Sequence, residues 1–347
     1  MRKIMIYGAT GYTGALAARQ AVAVGLDPIL AGRSMTRLAP IAEELGCEKT
    51  AFAVTDNAAA REALADVEAV LNCAGPFADT WEHMTRACLD TRTHYLDITG
   101  EPDVLAGCAS LDEAAKGVGI TILPGVGFDV VPTDCMAAML VERLPDAQEI
   151  TLAFRGVGQA SRGTATTGAR HLATPPQVRR NGRIEARQGP LSTEVDFGQG
   201  PEEVMAVSWG DIVTAAHTTG VQNIEVFFQP PPATVALLRL PRVVKWFLST
   251  PFGKPIVNAQ LRKMPDGPDA EARATGRARI YGRAVNGAGE VVELRLETME
   301  PYELTSITAP MFAQAAADGR LPTGFQTPAR ALGSEFVLTL DKSRMIG

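Results

Sequence analysis

Three glycines near the amino terminus are spaced as in loops that hold phosphate groups. Gly8, Gly11 and Gly14 form the pattern Gly-x-x-Gly-x-x-Gly between a short apolar run and a segment with helical spacing. In a strand-to-helix turn, the first glycine permits the tight turn, the second lets a pyrophosphate approach the backbone, and the third lets helix and strand pack closely. The pyrophosphate would lie on the free amides and positive end of the helix. The residues assigned to this loop are Gly8, Thr10, Gly11, Tyr12, Thr13 and Gly14. The alternative is a glycine-rich turn without a ligand.

The residues at the end of the second predicted strand indicate whether NAD(H) or NADP(H) would bind. NAD enzymes usually place Asp or Glu there, about 20 residues beyond the glycine loop. Here Arg33 stands at that place, and the nearest acid, Asp27, lies at the beginning of the strand. The guanidinium of Arg33 offers paired donors to a 2′-phosphate, and Ser34 and Arg37 add donors. The sequence therefore predicts NADP(H) in preference to NAD(H), with a solvated helix charge as the alternative for Arg37.

Two further segments follow apolar strands on the side where ligands of such sheets bind. Asp56 follows the third strand and is expected near the adenine, with a helix N-cap as the alternative. The loop after the fourth strand is expected to pass the nicotinamide, with a rigid turn as the alternative. Its residues are Cys73, Ala74, Gly75, Pro76 and Phe77. A reactive thiol at Cys73 is a weaker hypothesis, because a free cysteine usually behaves as a small core residue.

Candidate proton donors lie at the end of the fifth strand and at the boundary with the second region. Tyr95 and Asp97 share one face of the strand by alternation, and a hydrogen-bonded strand end is their alternative role. Asp129 stands where a cleft between domains is expected. His171 and His217 are further possible acids, although a lone histidine is more often structural. None of the five tyrosines begins a Tyr-x-x-x-Lys pattern, which disfavours the short-chain dehydrogenase mechanism. The catalytic candidates are therefore Tyr95, Asp97 and Asp129.

The elements that must position these residues follow from the periodicity. Strand and helix patterns alternate through the first 125 residues, and the strands are apolar throughout, which predicts a doubly wound parallel sheet covered on both faces. Beyond residue 127 short alternating segments appear, including a hairpin at 277–285 and 290–298 around Asn286-Gly287. Helices are predicted at about 102–117 and at 302–318, and a last strand at 335–340. The expected fold class is α/β, a Rossmann domain with a second α+β domain built on a mostly antiparallel sheet.

Composition excludes several classes of protein. A chain of 347 residues exceeds the roughly 250–300 at which single cores stop growing, so two domains are expected. Its net charge of −6 is opposite to that of nucleic-acid binders. The five cysteines show no Cys-x-x-Cys spacing, so no metal site is predicted and a reducing cytoplasm fits best. No signal-peptide core and no apolar run long enough to span a membrane are found.

Residues 233–263 combine apolar and basic residues. This pattern is compatible with peripheral contact to a membrane or a lipid-handling face. A dimer face and a helix packed on the second sheet are the alternatives.

Several motifs together resemble one known family. They are GATGYTG (8–14), LAGRS (30–34), VLNCAGPF (70–77), HYLDITGE (94–101) and GFDVVPTD (127–134), with softer matches at SWGDI (208–212) and GFQTPA (324–329). This set resembles the saccharopine dehydrogenase-like oxidoreductases, in the branch that includes the trans-acting enoyl reductases. The resemblance implies NAD(P)(H)-linked redox chemistry, a second domain that forms substrate and dimer surfaces, and a carboxyl-terminal return to the first domain. It does not imply saccharopine as the substrate.

These observations lead to expectations for the whole chain. We expect an NADP-binding domain at 1–128 plus 305–347 and a substrate and dimerisation domain at 129–304. The expected activity is hydride transfer to a C=C or C=N bond of a small-molecule or lipid-like substrate, by a cytoplasmic homodimer. One alternative is a non-catalytic cofactor-binding protein associated with lipid. Another is a saccharopine reductase proper, with Arg155, Arg162 and Arg170 available for substrate carboxylates.

Overall fold

A seven-stranded parallel sheet forms the first part of the fold in the computed structural model, which describes residues 3–156, 158, 160–170, 174–231, 235, 240–250 and 252–347. Elements are numbered along the chain. The strands of this sheet are β1 (Ile4–Tyr7), β2 (Ile29–Gly32), β3 (Lys49–Ala51), β4 (Ala69–Asn72), β5 (His94–Asp97), β6 (Thr121–Leu123) and β15 (Gly324–Phe325). Their order is β3-β2-β1-β4-β5-β6-β15, and every neighbouring pair is parallel. This order is that of a doubly wound sheet, the fold class predicted from the sequence, and the strand order reverses between β1 and β4.

Helices cover both faces of this sheet. They are α1 (Tyr12–Ala23), α2 (Met35–Leu45), α3 (Asn57–Leu64), α4 (Trp81–Thr91), α5 (Pro102–Ala109), α6 (Asp112–Val118) and α13 (Pro301–Ala317). Strands β1 and β4 are buried at every position, as expected for strands covered on both sides. Ile4 and Ile6 pack into the core on the side of α1 and α13, whereas Met5 and Tyr7 pack on the side of α3 and α4.

The second sheet has nine strands among the described residues and is mostly antiparallel, as predicted. Its strands are β7 (Ala147–Arg155), β8 (Gln177–Arg180), β9 (Arg183–Ala186), β10 (Ser192–Asp196), β11 (Pro201–Ala206), β12 (Asn223–Phe228), β13 (Arg277–Asn286), β14 (Val291–Met299) and β16 (Arg344–Met345). The main order is β10-β11-β12-β7-β13-β14-β16, and β7 with β12 is its parallel pair. The remaining helices are α7 (Val131–Arg143), α8 (Arg162–Arg170), α9 (Asp211–Thr219), α10 (Arg242–Ser249), α11 (Lys254–Lys263), α12 (Ala270–Thr275) and α14 (Pro328–Leu332).

The carboxyl-terminal part of the chain contributes to both sheets. Helix α13 packs on α1 and on strands β4 and β5, and β15 extends the parallel sheet beside β6. The last strand, β16, pairs instead with β14 in the second sheet. The proposed domain boundaries remain a prediction, but the return of the chain to the first sheet is present.

Two local predictions differ from the structure. The strand predicted at 335–340 is wrong, because Ser334–Thr339 form a 3-10 helix that buries Phe336 against the ring of Phe312. The single helix predicted over 102–117 is divided into α5 and α6 around Ser110 and Leu111. The hairpin at 277–298 is confirmed, and its turn is tied by the Asn286 side chain, which accepts from the N–H groups of Ala288 and Glu290.

None of the helices that the structure describes is long and apolar enough to cross a membrane. Of the segment 233–263, residues 233–234, 236–239 and 251 lie outside the described residues, as does His171.

Candidate functional site

The glycine loop joins β1 to α1 as the sequence predicts. Gly8 has φ +87°, a conformation that side chains rarely adopt, and a Cβ there would lie 2.8 Å from the amide nitrogen of Ala74. A Cβ on Gly14 would lie 2.9 Å from the carbonyl carbon of Gly8. The tight turn and the close approach of helix to loop therefore both require glycine. Gly11, at the N-cap of α1, is exposed.

The amino-terminal end of α1 can accept an anion. No side chain within the described part of the chain caps this helix, and its first turn carries no acidic residue. The first amides of a helix have no partner within it, so here they are available to a ligand. Thr10, Tyr12 and Thr13 beside them are half-buried. The residues present thus fit a pyrophosphate group.

The end of β2 presents basic side chains to solvent. Arg33 and Arg37 are both exposed, and within the described ranges no ion pair to either guanidinium is found. Ser34 accepts from the backbone N–H of Arg37 at 3.4 Å and so caps α2. The arrangement leaves positive charge unpaired where a 2′-phosphate is expected.

Asp56 has the alternative role considered from the sequence. Its Oδ1 accepts from the backbone N–H groups of Ala58 and Ala59 at 3.2 and 3.1 Å, so it caps α3. Its proximity to an adenine stays a prediction.

The loop after β4 is held by side chains that sequence reasoning did not single out. Asn72 Oδ1 accepts from the N–H of Ala74 at 3.1 Å, and Thr80 Oγ1 donates to the Ala74 carbonyl at 3.0 Å. Glu101 Oε1 accepts from the N–H of Phe77 at 2.9 Å. These bonds fix residues 73–77 beside Gly8, so the loop after β4 packs against the glycine loop and forms one side of it.

Cys73 lies in the loop after β4 as a neutral thiol. Burial raises its pKa to about 12, and the negative charge of Asp97 adds to the effect. Since the thiolate is the reactive form, this environment argues against a nucleophilic Cys73.

Tyr95 and Asp97 form a buried network beneath the surface of the site. The hydroxyl of Tyr95 donates to Asp97 Oδ2 at 2.6 Å, and both side chains are fully buried. Asp97 Oδ1 also accepts from the N–H groups of Thr99 and Gly125 at 2.9 and 3.0 Å. Burial raises the pKa of Asp97 to about 6, against the opposing effect of these hydrogen bonds. The pair ties the end of β5 to the chain after β6.

Asp129 occupies a different environment. It is only half-buried and lies against Gly100, where a Cβ would come within 3.0 Å of Asp129 Oδ2. Burial raises the pKa of Asp129 to about 7, and the negative charge of Glu101 adds to the rise. Of the three catalytic candidates, Asp129 is the one that is not fully buried.

We define the candidate cleft as the region bordered by Asp129, α8 and the start of α13. Tyr302 Oη accepts from the N–H of Ser161 at 2.6 Å and lies 3.0 Å from Thr164 Oγ1. Burial raises the pKa of Tyr302, and the charge of Asp129 contributes to the rise. Sequence reasoning missed Tyr302, Ser161 and Thr164, because no local motif marks them.

Two contacts join the cofactor loop and the loop after β4 to the second domain. Tyr12 donates from its hydroxyl to the carbonyl of Pro268, and Arg273 Nη1 donates to the same hydroxyl at 3.0 Å. Arg170, at the end of α8, forms an ion pair with Asp79 at 2.8 Å. These contacts hold both loops against the second domain.

The remaining sequence candidates are engaged elsewhere. His217 packs against the ring of Phe325 on the edge strand of the parallel sheet, 4.9 Å between centroids. The three arginines considered for substrate carboxylates each pair with an acid of this chain. These ion pairs are Arg155 with Glu202, Arg162 with Asp266, and Arg170 with Asp79.

Comparison with known proteins agrees with this geometry. Residues 4–123 match the family model described as the saccharopine dehydrogenase NADP binding domain. The amino-terminal part of the chain is therefore similar to that domain. The domain that it resembles is one that binds NAD(P), which agrees with the glycine loop and the parallel sheet.

Relatives extend the similarity beyond that domain. A trans-acting enoyl reductase of Mycobacterium bovis is 30% identical over 220 residues, which cover 57% of this chain and 51% of that protein. The saccharopine dehydrogenase-like oxidoreductase of Mus musculus is 30% identical over 151 residues, covering 38% of this chain and 35% of that protein. The chain spans about half the length of the first curated relatives it matches.

The fold of the whole chain also has a solved counterpart. The apo saccharopine dehydrogenase (L-Glu forming) of Saccharomyces cerevisiae superposes with a TM-score of 0.65 at 11% identity, covering 100% of both chains. At this identity the match shows the fold, including the second sheet, and carries nothing about substrate.

Proposed function

We propose that the chain is an NADP(H)-dependent oxidoreductase that reduces a C=C or C=N bond. The observation that carries the proposal is the uncapped amino-terminal end of α1 behind a loop in which Gly8 and Gly14 leave no room for side chains. The exposed Gly11 gives a pyrophosphate access to the amides of that helix. The match of residues 4–123 to an NADP-binding domain supports the same assignment.

NADP(H) is proposed over NAD(H) because of the charges at the end of β2. Arg33 and Arg37 are exposed there, and the acid that would hold an unphosphorylated ribose is absent from this part of the sequence. A guanidinium binds a phosphate through paired, charge-assisted hydrogen bonds. Ser34 already caps α2, so its contribution to the phosphate would add to that role.

The bound nicotinamide would supply the hydride, and this chain would supply the proton. We assign Asp129 as the proton donor, since its pKa of about 7 keeps much of the carboxyl protonated near neutral pH. Asp129 would pass its proton to the substrate atom left negative by hydride addition, and its carboxylate would be reprotonated from solvent. Tyr95 and Asp97 would position the end of β5 from below.

The enoyl reductase name of one relative favours a C=C bond conjugated to a carbonyl group. A saccharopine reductase is less favoured, since Arg155, Arg162 and Arg170 are paired with acids of the chain itself. The homodimer and the cytoplasmic location stay predictions.

The test is NADPH oxidation by the purified protein with trans-2-enoyl thioesters of several chain lengths and, separately, with cyclic imines. We expect turnover with one of these classes, and Asp129→Asn should lower kcat by roughly 10²–10⁴-fold with NADPH affinity unchanged. Asp103→Asn is the matched control, because Asp103 is an exposed acid on the nearby helix α5. Tight NADPH binding without turnover of either class would favour the non-catalytic alternative.

A further inference from the structure

An exposed group of large apolar side chains lies on α10, in the turn that follows it and at the start of α11. Six of the eleven exposed large apolar side chains found in the described residues fall between positions 243 and 256, and the others are scattered. The five most relevant are Val243, Trp246, Phe247, Phe252 and Ile256, with exposures of 74%, 64%, 43%, 83% and 52%. Concentration of this kind marks an interaction surface rather than ordinary surface variation.

The helix α10 and the tight turn that follows it place these side chains close together. Val243, Trp246 and Phe247 have i, i+3, i+4 spacing, which places them on one face of α10. The turn to α11 is tight, since a Cβ on Gly253 would lie 2.6 Å from the Cα of Leu248. Thr250 Oγ1 donates to the carbonyl of Phe247 at 2.6 Å within that turn. We call residues 242–250 and 252–263 the basic apolar surface.

The charge of this region indicates the chemistry of its partner. Residues 226–265 contain six lysines and arginines and no aspartate or glutamate, a charge of +6. Since the whole chain carries −6, the remaining residues together carry −12. Lys254, Arg262 and Lys263 are exposed on α11, next to the apolar side chains. A negatively charged membrane attracts this surface and repels the rest of the molecule, so it selects one orientation.

The basic apolar surface also adjoins the cleft. Helix α11 packs against α8, the helix that forms one wall of the cleft. Arg162 at the start of α8 pairs with Asp266 just after α11, and Arg170 at its end pairs with Asp79 beside the loop after β4. A membrane bound at this surface would therefore lie near the mouth of the cleft.

We propose that the basic apolar surface docks the protein on an anionic lipid bilayer, with the cleft mouth close to the membrane. Apolar side chains enter the interface between headgroups and acyl chains, while lysines and arginines pair with lipid phosphates. This docking does not depend on the proposed reaction, so the two can fail separately.

The test is flotation of the full chain with vesicles of phosphatidylcholine containing phosphatidylglycerol, compared with phosphatidylcholine alone. We expect flotation with the anionic vesicles, weakened by salt. Removing the exposed charges, with Lys254→Gln, Arg262→Gln and Lys263→Gln combined, should weaken partition by about fivefold per charge. Val243→Ser with Phe252→Ser should weaken it by at least about tenfold.

The matched control is Val24→Ser with Val291→Ser, which removes exposed apolar side chains outside the basic apolar surface. It should float like the unaltered protein, and all variants should keep the melting temperature of the unaltered protein. Equal flotation with neutral and anionic vesicles, or wild-type flotation by the surface variants, would overturn the proposal. So would a change from dimer to monomer in those variants with no flotation of the unaltered protein, since the face would then join two copies.

Discussion

The surroundings of the carboxyl group separate Asp129 from the other acidic candidate. Asp97 is fully buried and accepts hydrogen bonds from three donors. Its role is therefore to stabilise the end of β5. Asp129 is half-buried, and burial and the charge of Glu101 raise its pKa. A carboxyl that titrates near neutral pH beside an expected substrate has the properties of a general acid.

The raised pKa of Asp129 makes a prediction about stability and pH. Its pKa rises from 3.8 to about 7 on folding, so the folded state holds a proton that the unfolded state releases. The stabilising contribution is complete below about pH 4 and is lost as pH rises through about 7. The free energy of unfolding of the wild type should therefore fall over that range relative to Asp129→Asn. Urea denaturation at several pH values measures the free energy of unfolding of both proteins. If it depended on pH in the same way in the wild type and in Asp129→Asn, the raised pKa would be contradicted.

Arg33 carries the prediction about cofactor preference. Loss of a charge-assisted pair to the 2′-phosphate should weaken NADPH binding in Arg33→Ala by about 10- to 100-fold. NADH binding should be unchanged, because NADH lacks that phosphate. Arg33→Lys is the control that keeps the charge without the planar donors. Equal weakening of both nucleotides would show that Arg33 acts on the fold rather than on the phosphate.

At the scale of elements, the amino-terminal end of α1 has two competing uses. An acidic N-cap would stabilise the helix but occupy the amides that the pyrophosphate needs. Gly11 has φ −82° and an open environment, with 3.3 Å from a Cβ to the carbonyl oxygen of Gly8 as its nearest contact. The fold should therefore accept a side chain at Gly11 with only a small adjustment.

Gly11→Asp tests this competition. We expect an equal or higher melting temperature without nucleotide, because Asp caps α1, together with loss of NADPH binding through occlusion and charge repulsion. Thermal denaturation with and without NADPH measures both effects. If a folded Gly11→Asp protein were still stabilised by NADPH, the pyrophosphate would have to bind somewhere other than the amino-terminal end of α1.

Helix α8 gives a second prediction at this scale. The pair of Asp79 and Arg170 is exposed, so Arg170→Gln should change the free energy of unfolding by at most about 1 kcal/mol. It should raise the KM for substrate several-fold, because one end of the cleft wall is released, while NADPH affinity stays the same. Exchange of the two residues, Asp79→Arg with Arg170→Asp, should restore KM. If Arg170→Gln kept the KM of the wild type, α8 would not form part of the substrate site.

The elements that the sequence predicted are those with a strong local period. The parallel sheet follows from apolar runs that alternate with helical spacing, and the glycine loop lies within seven consecutive residues. Helix α8 was not predicted, since none of its nine described residues is buried and its sequence has no apolar stripe. Its position depends on contacts with Tyr302 and Asp266, which are distant in the chain.

The lack of a local sequence signal also explains which features of the candidate site were not predicted. Alternation placed Tyr95 and Asp97 on one face of β5 but carried no information on depth, and depth is what separates them from Asp129. Tyr302 and Ser161 are joined by a hydrogen bond although 141 positions apart. No local motif predicts such a pair.

At the scale of the whole molecule, the cleft depends on both sheets. The first supplies the uncapped amino-terminal end of α1 and the carboxyl ends of β4 and β5, and the second domain supplies α8 and the segment that contacts Tyr12 through Pro268. Under the docking proposal, the uneven distribution of charge would orient the molecule on an anionic membrane, because the basic apolar surface adjoins α8 while the rest of the chain is acidic.

Isothermal titration calorimetry of the unaltered chain with NADPH and NADH tests the central claim most directly. We predict saturable NADPH binding with about one equivalent per chain, at least about tenfold tighter than NADH, and none by Gly11→Asp. Absence of binding for both nucleotides, or tighter binding of NADH, would contradict the account.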